Sequence, residues 1–242
     1  MNSENALSRR HFPFFQKLDM QFDTDKILAE MKVIEELNDG WGDMKHGSPL
    51  VNELTAGRER LTQAFQDEDG DYHSYEQIIL TDFDDARRGT REMQLAGGAY
   101  AQYRQDMSRA ANGLDESAYN KPRDFMESAP YISEVLASFG DPITRARFAR
   151  VKPGFTIKPH IDYDTRYGMR YHIALTTNDE CHIGFRRNKK QEFDVRHIPV
   201  DGHVYFLNAG FEHYADNLGD TDRIHLVIGV NGQTLMDNYV IR

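Results

Sequence analysis

The stretch that decides the fold runs from residue 145 to residue 230 and contains seven short segments rich in branched and aromatic residues. The segments are RARFARV (145–151), TIKPHID (156–162), RYHIALTT (170–177), CHIGFRR (181–187), EFDVRHI (192–198), HVYFLNA (203–209) and RIHLVIGV (223–230). Turn-forming pairs such as Pro153-Gly154, Asn188-Lys189 and Asp201-Gly202 separate them. Short strands at intervals of roughly 8 to 12 residues predict an antiparallel sandwich, jelly roll or barrel.

The residues before this stretch predict a mixed α/β extension. FPFFQKLDMQF (12–22) predicts a strand, and the helical spacing of the apolar residues after Asp23 predicts a helix that Gly40 ends. Further helices are predicted over residues 49–65 and 128–139, a strand within 74–83, and a loop with a short helix over 86–116. We expect one domain over residues 1–242, with an extension (1–140) and a β core (141–231).

The composition excludes several classes of protein. Hydrophobic residues make up 39% of the chain, which is enough for a sizeable core, and no run of about 18 apolar residues predicts a membrane span. The net charge of −10 repels phosphate backbones, so nucleic acid is not an expected partner. Cys181 is the only cysteine, which excludes an internal disulfide or a multi-thiolate metal site. With no apolar signal segment near the start, a cytoplasmic location is expected.

His160 and Asp162 form the first part of a candidate site. They lie at the end of a predicted strand, where residues two apart share a face and could bind one metal ion. His213 follows a second apolar strand, HVYFLNA, and supplies a third possible ligand. Two imidazoles and a carboxylate could together bind one metal ion.

Arg223 lies ten residues after His213, at the start of RIHLVIGV. A hairpin with its tip near Leu218 would make Arg223 and His213 cross-strand neighbours with side chains on one face. An arginine so close to a metal ligand needs an anion between them, and a bidentate carboxylate ligand fits. The alternative is a surface ion pair between Arg223 and a neighbouring acid, namely Asp216, Asp220 or Asp222.

The ordered set His160-x-Asp162…His213 with Arg223 resembles the iron(II)- and 2-oxoglutarate-dependent oxygenases. The flanking sequence is most similar to the aspartyl/asparaginyl β-hydroxylase family and to bacterial proline cis-hydroxylases. The resemblance covers roughly residues 128–230 and includes APYISEVL, RARFARVKPGFTIKPHIDY, MRYHIALTTNDEC and FLNAGFEHYADNLGDTDRIHLVIGV. It implies a mainly β fold with a double-stranded β-helix core, which is jelly-roll and cupin-like, covered by N-terminal helices and extra strands.

The resemblance also implies roles for individual residues. His160, Asp162 and His213 would hold Fe(II), and Arg223 would bind the distal carboxylate of 2-oxoglutarate. Arg170 and His172 correspond to the family's Arg-x-His, which faces the co-substrate and the substrate, so His172 is expected to bind the co-substrate. Some members place a serine eleven residues before the first histidine to help hold 2-oxoglutarate. Ala149 stands there, so the second contact to the distal carboxylate comes from elsewhere or is missing.

The activity implied is dioxygenase hydroxylation of an amino acid or amino-acid-derived small molecule, with dioxygen consumed and 2-oxoglutarate decarboxylated to succinate. Because Arg223 already serves the co-substrate, Arg170 is expected to pair with a substrate carboxylate, with Arg166 on the neighbouring loop. The alternatives are a peptidyl Asp/Asn-type β-hydroxylase and a catalytically silent, cupin-like sensor of a metal or carboxylate. The histidines that lack a partner at ligand spacing are expected to be structural: His182, His197, His203 and His225.

Overall fold

The structure is a computed structural model that describes residues 6–43, 68–69, 73–82, 121–162 and 164–241. Two α-helices lie within these ranges, α1 (Thr24–Leu37) and α2 (Pro130–Ala137). The first five strands are β1 (Phe15–Gln21), β2 (Gly42–Asp43), β3 (Tyr75–Ile79), β4 (Thr81–Asp82) and β5 (Lys121–Pro122). The other eight are β6 (Ile143–Val151), β7 (Phe155–His160), β8 (Met169–Thr176), β9 (Cys181–Arg186), β10 (Asp194–Arg196), β11 (His203–Leu207), β12 (Glu212–Asn217) and β13 (Arg223–Val230).

Two antiparallel sheets form the core. The larger sheet has the strand order β1-β11-β8-β13-β6-β3-β2, and the smaller has the order β10-β9-β12-β7. Apolar side chains of both sheets meet between them, for example Val227 of β13 with Ile157 of β7, and Leu207 of β11 with Phe185 of β9. This two-sheet arrangement is a jelly roll, and the fold class predicted from the sequence is confirmed.

The outer face of the seven-stranded sheet packs against the helices. Ile27, Met31 and Ile34 of α1 are buried at helical spacing in one cluster with the strand residues Phe148 and Leu226. The helix therefore covers the face of the large sheet that points away from the smaller sheet. The opposite, inner face lines the space between the two sheets.

Two carboxylates fix the ends of these helices. Asp23 caps α1, because its side chain accepts hydrogen bonds from the backbone N–H groups of Asp25 and Lys26. Glu30 of α1 accepts from the N–H groups of Tyr131 and Ile132, each at 2.8 Å, in the first turn of α2. A carboxylate at this position satisfies unpaired N–H groups and favours the positive end of the helix.

The predicted hairpin between His213 and Arg223 is wrong. β12 has β7 on one edge and β9 on the other, whereas β13 lies between β6 and β8 in the opposite sheet. Because a strand has only two edges and both edges of each strand are occupied, β12 and β13 cannot pair with each other. The two residues face the same interior from opposite sheets.

The other elements predicted outside the core have different outcomes. The strand within 12–22 is β1, the helix within 128–139 is α2, and Gly40 follows α1 with a positive φ of 90°, as a residue ending a helix often does. The predicted helix over 49–65 and the loop over 86–116 lie outside the described residues. The domain boundaries stay a prediction. Among the described helices, none has the length and apolar character needed to cross a membrane.

Candidate metal centre

An irregularity in β7 turns His160 toward the interior. Ile157 pairs with Ala215, and His160 pairs with His213, so three steps along β7 match two steps along β12. Ile157 is packed between the sheets, and strict alternation would therefore turn Pro159 inward next. The bulge places the imidazole of His160 beside that of His213 instead, with ring centroids 4.4 Å apart.

Asp162 completes a group of three possible ligands just beyond the end of β7. Its backbone N–H donates to the carbonyl of Ala209 at 3.0 Å, which holds the turn over the sheet. Its Oδ1 lies 3.6 Å from Nε2 of His160, and its Oδ2 lies 3.9 Å from Nε2 of His213. The three ligand atoms all lie within 4.8 Å of one another. Ligands bound at about 2.1 Å to one ion are separated by roughly 3 to 4 Å, so the group fits a single metal ion.

Backbone carbonyls orient both imidazoles for metal binding. Nδ1 of His160 lies 2.8 Å from the carbonyl of Lys158, and Nδ1 of His213 lies 2.9 Å from the carbonyl of Phe211. A carbonyl only accepts, so each Nδ1 carries the proton and each Nε2 presents a lone pair. Burial lowers the pKa of His160 to about 4 and lowers the pKa of His213 well below its ordinary value. Both rings are therefore neutral at pH 7, as metal ligands must be.

Arg170 contacts this group from β8. One of its terminal nitrogens donates to Oδ2 of Asp162, the oxygen that faces His213. The sequence-based expectation for Arg170 is a substrate carboxylate, and a bond to a protein carboxylate counts against that role. The physical reason is local: the side chain of Asp162, just beyond the end of β7, lies next to Arg170 near the start of β8 and compensates the charge of this buried guanidinium.

Arg166 also has a protein partner. Its Nε donates to Oδ1 of Asp164 at 3.1 Å, and the Asp164 side chain is fully buried, whereas that of Arg166 is about a third exposed. A substrate role for Arg166 or Arg170 stays a prediction.

The inner face of the seven-stranded sheet is strongly cationic. Its side chains include six buried or half-buried basic residues: Arg145, Arg147, Arg170, Arg223, His172 and His225. Burial alone would raise the pKa of Tyr75, but the charges of Arg147 and Arg145 outweigh it and lower the pKa. The sequence interpretation missed the first two arginines. Arg145 and Arg147 stand two positions apart in the strand segment RARFARV, so they share one face, and this spacing is the signal that could have found them.

Arg223, His225 and His172 form a contact chain within this face. Nη2 of Arg223 lies 3.3 Å from Nδ1 of His225, which lies 3.2 Å from Nδ1 of His172. Burial, followed by the charge of Arg223, lowers the pKa of both histidines well below the ordinary value. The charges of Arg170 and Arg147 lower the pKa of His172 further.

The surface ion pair considered for Arg223 does not form. Its side chain is only 4% exposed. Of the three candidate acids, Asp216 contacts His182 at 3.1 Å, Asp222 is 3.8 Å from Arg150, and Asp220 has no ion pair with any described residue. Arg223 therefore keeps a buried positive charge directed between the sheets, as a site for an anionic ligand requires.

Comparison with known proteins identifies the family of this chain. The family model for aspartyl/asparaginyl β-hydroxylases matches residues 53–232, which is most of the chain. The chain belongs to the aspartyl/asparaginyl β-hydroxylase family, and the family predicted from the sequence is confirmed.

One curated relative is the L-proline cis-4-hydroxylase of Rhizobium meliloti (strain 1021), which is 28% identical over 119 residues. The alignment covers 47% of this chain and 40% of the relative, so the chain matches less than half of the relative's length. Two solved structures are similar in outline. A Pseudomonas putida prolyl-4-hydroxylase is 10% identical, with 90% of this chain and 92% of that chain covered and a TM-score of 0.44. A 2OG-Fe(II) oxygenase family oxidoreductase from Burkholderia pseudomallei is 15% identical, with 75% and 79% covered and a TM-score of 0.42.

Proposed function

We propose that this chain is a non-haem Fe(II)- and 2-oxoglutarate-dependent dioxygenase that hydroxylates an amino acid or an amino-acid-derived small molecule. The observation that carries the proposal is the group formed by His160, Asp162 and His213, whose ligand atoms lie within 4.8 Å of one another. Two neutral nitrogens and one carboxylate suit Fe(II) better than magnesium or calcium, which prefer all-oxygen sites.

The bound iron, with dioxygen and 2-oxoglutarate, supplies the oxidising chemistry, and 2-oxoglutarate is converted to succinate. The chain's residues hold and orient these groups. The carbonyls of Lys158 and Phe211 fix the two imidazoles with Nε2 toward the ion. Arg170 donates to Asp162, which limits the rotation of that carboxylate and compensates part of its charge.

Arg223 is assigned to the distal carboxylate of 2-oxoglutarate. Its guanidinium is buried on the sheet opposite β7 and β12, and its planar fork matches a carboxylate with two parallel hydrogen bonds. A co-substrate bound to the ion at one end would thus cross the space between the two sheets and meet Arg223 at the other.

A substrate that carries a carboxylate is supported by the charge of the interior. Arg145 and Arg147 lie on the same inner face, in addition to the arginines that contact Asp162 and the co-substrate. The relative named an L-proline cis-4-hydroxylase points to the same class of small amino acid. The cytoplasmic location and the absence of a nucleic-acid partner, both expected from the composition, belong to the same proposal.

Two alternative functions would use the same site residues. A peptidyl Asp/Asn-type β-hydroxylase is supported by the family itself. A silent sensor would bind iron or a carboxylate without turnover, but the presence of all three possible ligands together with the buried Arg223 favours a working centre, because a silent relative need not keep all four groups.

The test is a panel of free L-amino acids, including L-proline, and short Asp- and Asn-containing peptides, each incubated with Fe(II), 2-oxoglutarate and air. Succinate release above the substrate-free background, together with a mass gain of one oxygen atom in a free amino acid, is the expected result. Oxidation of the peptides alone would replace the small-molecule proposal by the peptidyl one. Succinate at the background level with every compound, and equal to that of a His213→Ala control, would support the sensor.

A further inference from the structure

We propose that His225 donates a second hydrogen bond, from its Nε2–H, to the distal carboxylate held by Arg223. This inference rests on the proposed function, because it concerns how 2-oxoglutarate is bound. It assigns a co-substrate role to a histidine that the sequence pattern indicated to be structural, and it changes the role of its neighbour His172.

The position of His225 is the first argument. It lies two residues after Arg223 on β13, so both side chains extend from the same face of the strand. Their contact at 3.3 Å shows that the imidazole lies beside the guanidinium. Across the sheet His225 pairs with Ala149 on one side and Ala174 on the other. Both neighbours end in methyl groups, so neither offers a hydrogen bond to an anion next to Arg223.

The contacts of His225 determine which of its nitrogens carries the proton. A guanidinium has only donors, so Nδ1 of His225 is the acceptor for Arg223 and carries no hydrogen. The proton of the neutral ring is therefore on Nε2. Burial and the charge of Arg223 hold the pKa of His225 well below its ordinary value, which keeps the ring in this neutral form.

The Nε2–H group of His225 has no acceptor of its own in the part of the chain that the structure describes. The residue is 1% exposed, and its Nε2 is buried without a hydrogen-bond partner. A buried donor without an acceptor is costly, and such groups are uncommon unless a ligand or ordered water completes them. A carboxylate bound to Arg223 brings the missing acceptor, and two donors side by side hold a planar anion better than one.

The same contacts give His172 a different role. Its Nδ1 lies 3.2 Å from the unprotonated Nδ1 of His225, so Nδ1 of His172 carries the proton and donates. Its Nε2 is then an acceptor and unsuited to a carboxylate. His172, which the resemblance implied as a co-substrate residue, becomes a positioning residue that orients His225.

The test compares His225→Gln with His225→Met. The two side chains have nearly the same shape, but only glutamine offers an N–H donor where Nε2 of histidine lies. Binding is measured by calorimetry on the Fe(II)-loaded protein without oxygen, so that no turnover is needed. The ligands are 2-oxoglutarate and 2-oxopentanoate, which has the same chain length and the same 2-oxo acid end but a methyl group in place of the distal carboxylate.

We expect His225→Met to weaken 2-oxoglutarate binding about tenfold or more and His225→Gln to stay within about threefold of the unchanged protein. Binding of 2-oxopentanoate should be the same in all three. His203→Met is the matched control at a histidine that contacts the carbonyl of Leu18, and it should leave both affinities unchanged. Equal affinity of the Gln and Met variants for 2-oxoglutarate would overturn the inference. So would an equal loss of affinity for 2-oxoglutarate and for 2-oxopentanoate in His225→Met.

A failure of the proposed function gives a different result. If the unchanged protein binds 2-oxoglutarate no better than 2-oxopentanoate, no distal-carboxylate site exists and the co-substrate assignment itself is wrong.

A second measurement does not use His225→Met, so it tests the hydrogen bond even if that variant does not fold. The protein is loaded with Zn(II) and its histidines are labelled. The Nε2–H signal that the unchanged protein shows and His225→Gln lacks is assigned to His225. Its exchange with solvent should slow on addition of 2-oxoglutarate and not on addition of 2-oxopentanoate. Equal exchange with both ligands would contradict the hydrogen bond.

Discussion

The two faces of the seven-stranded sheet differ although the same strands form both. In β8, Tyr171 and Ile173 point outward into the apolar cluster with the helices, whereas Arg170 and His172 point inward toward the smaller sheet. Strand geometry sends successive side chains to opposite faces, so one stretch of eight residues supplies both a hydrophobic core and a polar site.

β13 shows the same division between an apolar outer face and a polar inner face. Leu226 and Ile228 are fully buried against the helices, and Arg223 and His225 line the interior. The comparison teaches that stability and chemistry are carried by alternating positions of the same strands. Substitutions on one face should then change one property and largely spare the other.

The largest effect is expected on the inner face of the smaller sheet. His213→Ala removes a metal ligand and should abolish 2-oxoglutarate turnover. The metal-free variant should still fold, although it loses the hydrogen bond to the carbonyl of Phe211 and the ring contacts with His160 and Phe185. Succinate release and iron content after dialysis check the first part, and urea denaturation checks the second. Wild-type iron content in this variant would contradict the assignment of the centre.

The reverse result is expected for the outer face. Leu226→Ala leaves a cavity among fully buried side chains and should lower the free energy of unfolding by about 2 to 5 kcal/mol. Urea denaturation measures this loss. At urea concentrations below the midpoint of unfolding, the variant should bind iron with the same affinity as the unchanged protein. A tenfold weaker iron affinity would show that the two faces of the sheet are coupled.

A smaller effect is expected when Arg223 keeps its charge but loses its planar fork. Arg223→Lys should raise the 2-oxoglutarate concentration needed for half-maximal turnover about tenfold or more, which is roughly 1.4 kcal/mol. The rate at saturating 2-oxoglutarate should fall less. Arg150→Lys, at a residue that pairs with Glu76 outside the interior, is the control, and an equal response in both variants would remove Arg223 from the co-substrate site.

The smallest effect concerns pH. His172 and His225 have pKa values well below the ordinary 6.5, so the unfolded chain binds more protons than the folded one as the pH falls below about 6.5. Their contribution to stability is complete above that pH and is lost as the pH falls. Each should cost about 0.8 kcal/mol of unfolding free energy between pH 8 and pH 6. Denaturation of the metal-free protein at both values measures the loss, which should be smaller in His225→Gln; an identical loss would show that His225 does not contribute.

The sequence predicted the elements whose signals are local. Asp23 and the spacing of Ile27, Met31 and Ile34 define α1 within a few residues, and the structure confirms it. The three possible metal ligands were named because each lies at or just beyond an apolar strand, where a short sequence pattern is informative.

The sequence could not show which strands would pair. His213 and Arg223 are close along the chain and lie in opposite sheets, because the choice between a hairpin and a crossing loop depends on partners that are distant in sequence. The position of His225 two residues after Arg223 was a local signal that the interpretation did not use, whereas its contact with His172 becomes visible only when β13 pairs with β8.

The bulge in β7 and the separation of the sheets have a consequence for the length of the co-substrate. In the proposed site His160 and His213 would hold the ion from the four-stranded sheet, and Arg223 would face them from the seven-stranded sheet. Sheets packed face to face lie about 10 Å apart, a spacing set by the apolar side chains between them. The side chains that set it here include Ile157, Val227 and Leu207. Selection between diacids that differ by one methylene would therefore depend on the size of these apolar residues, and enlarging one of them would favour the longer molecule.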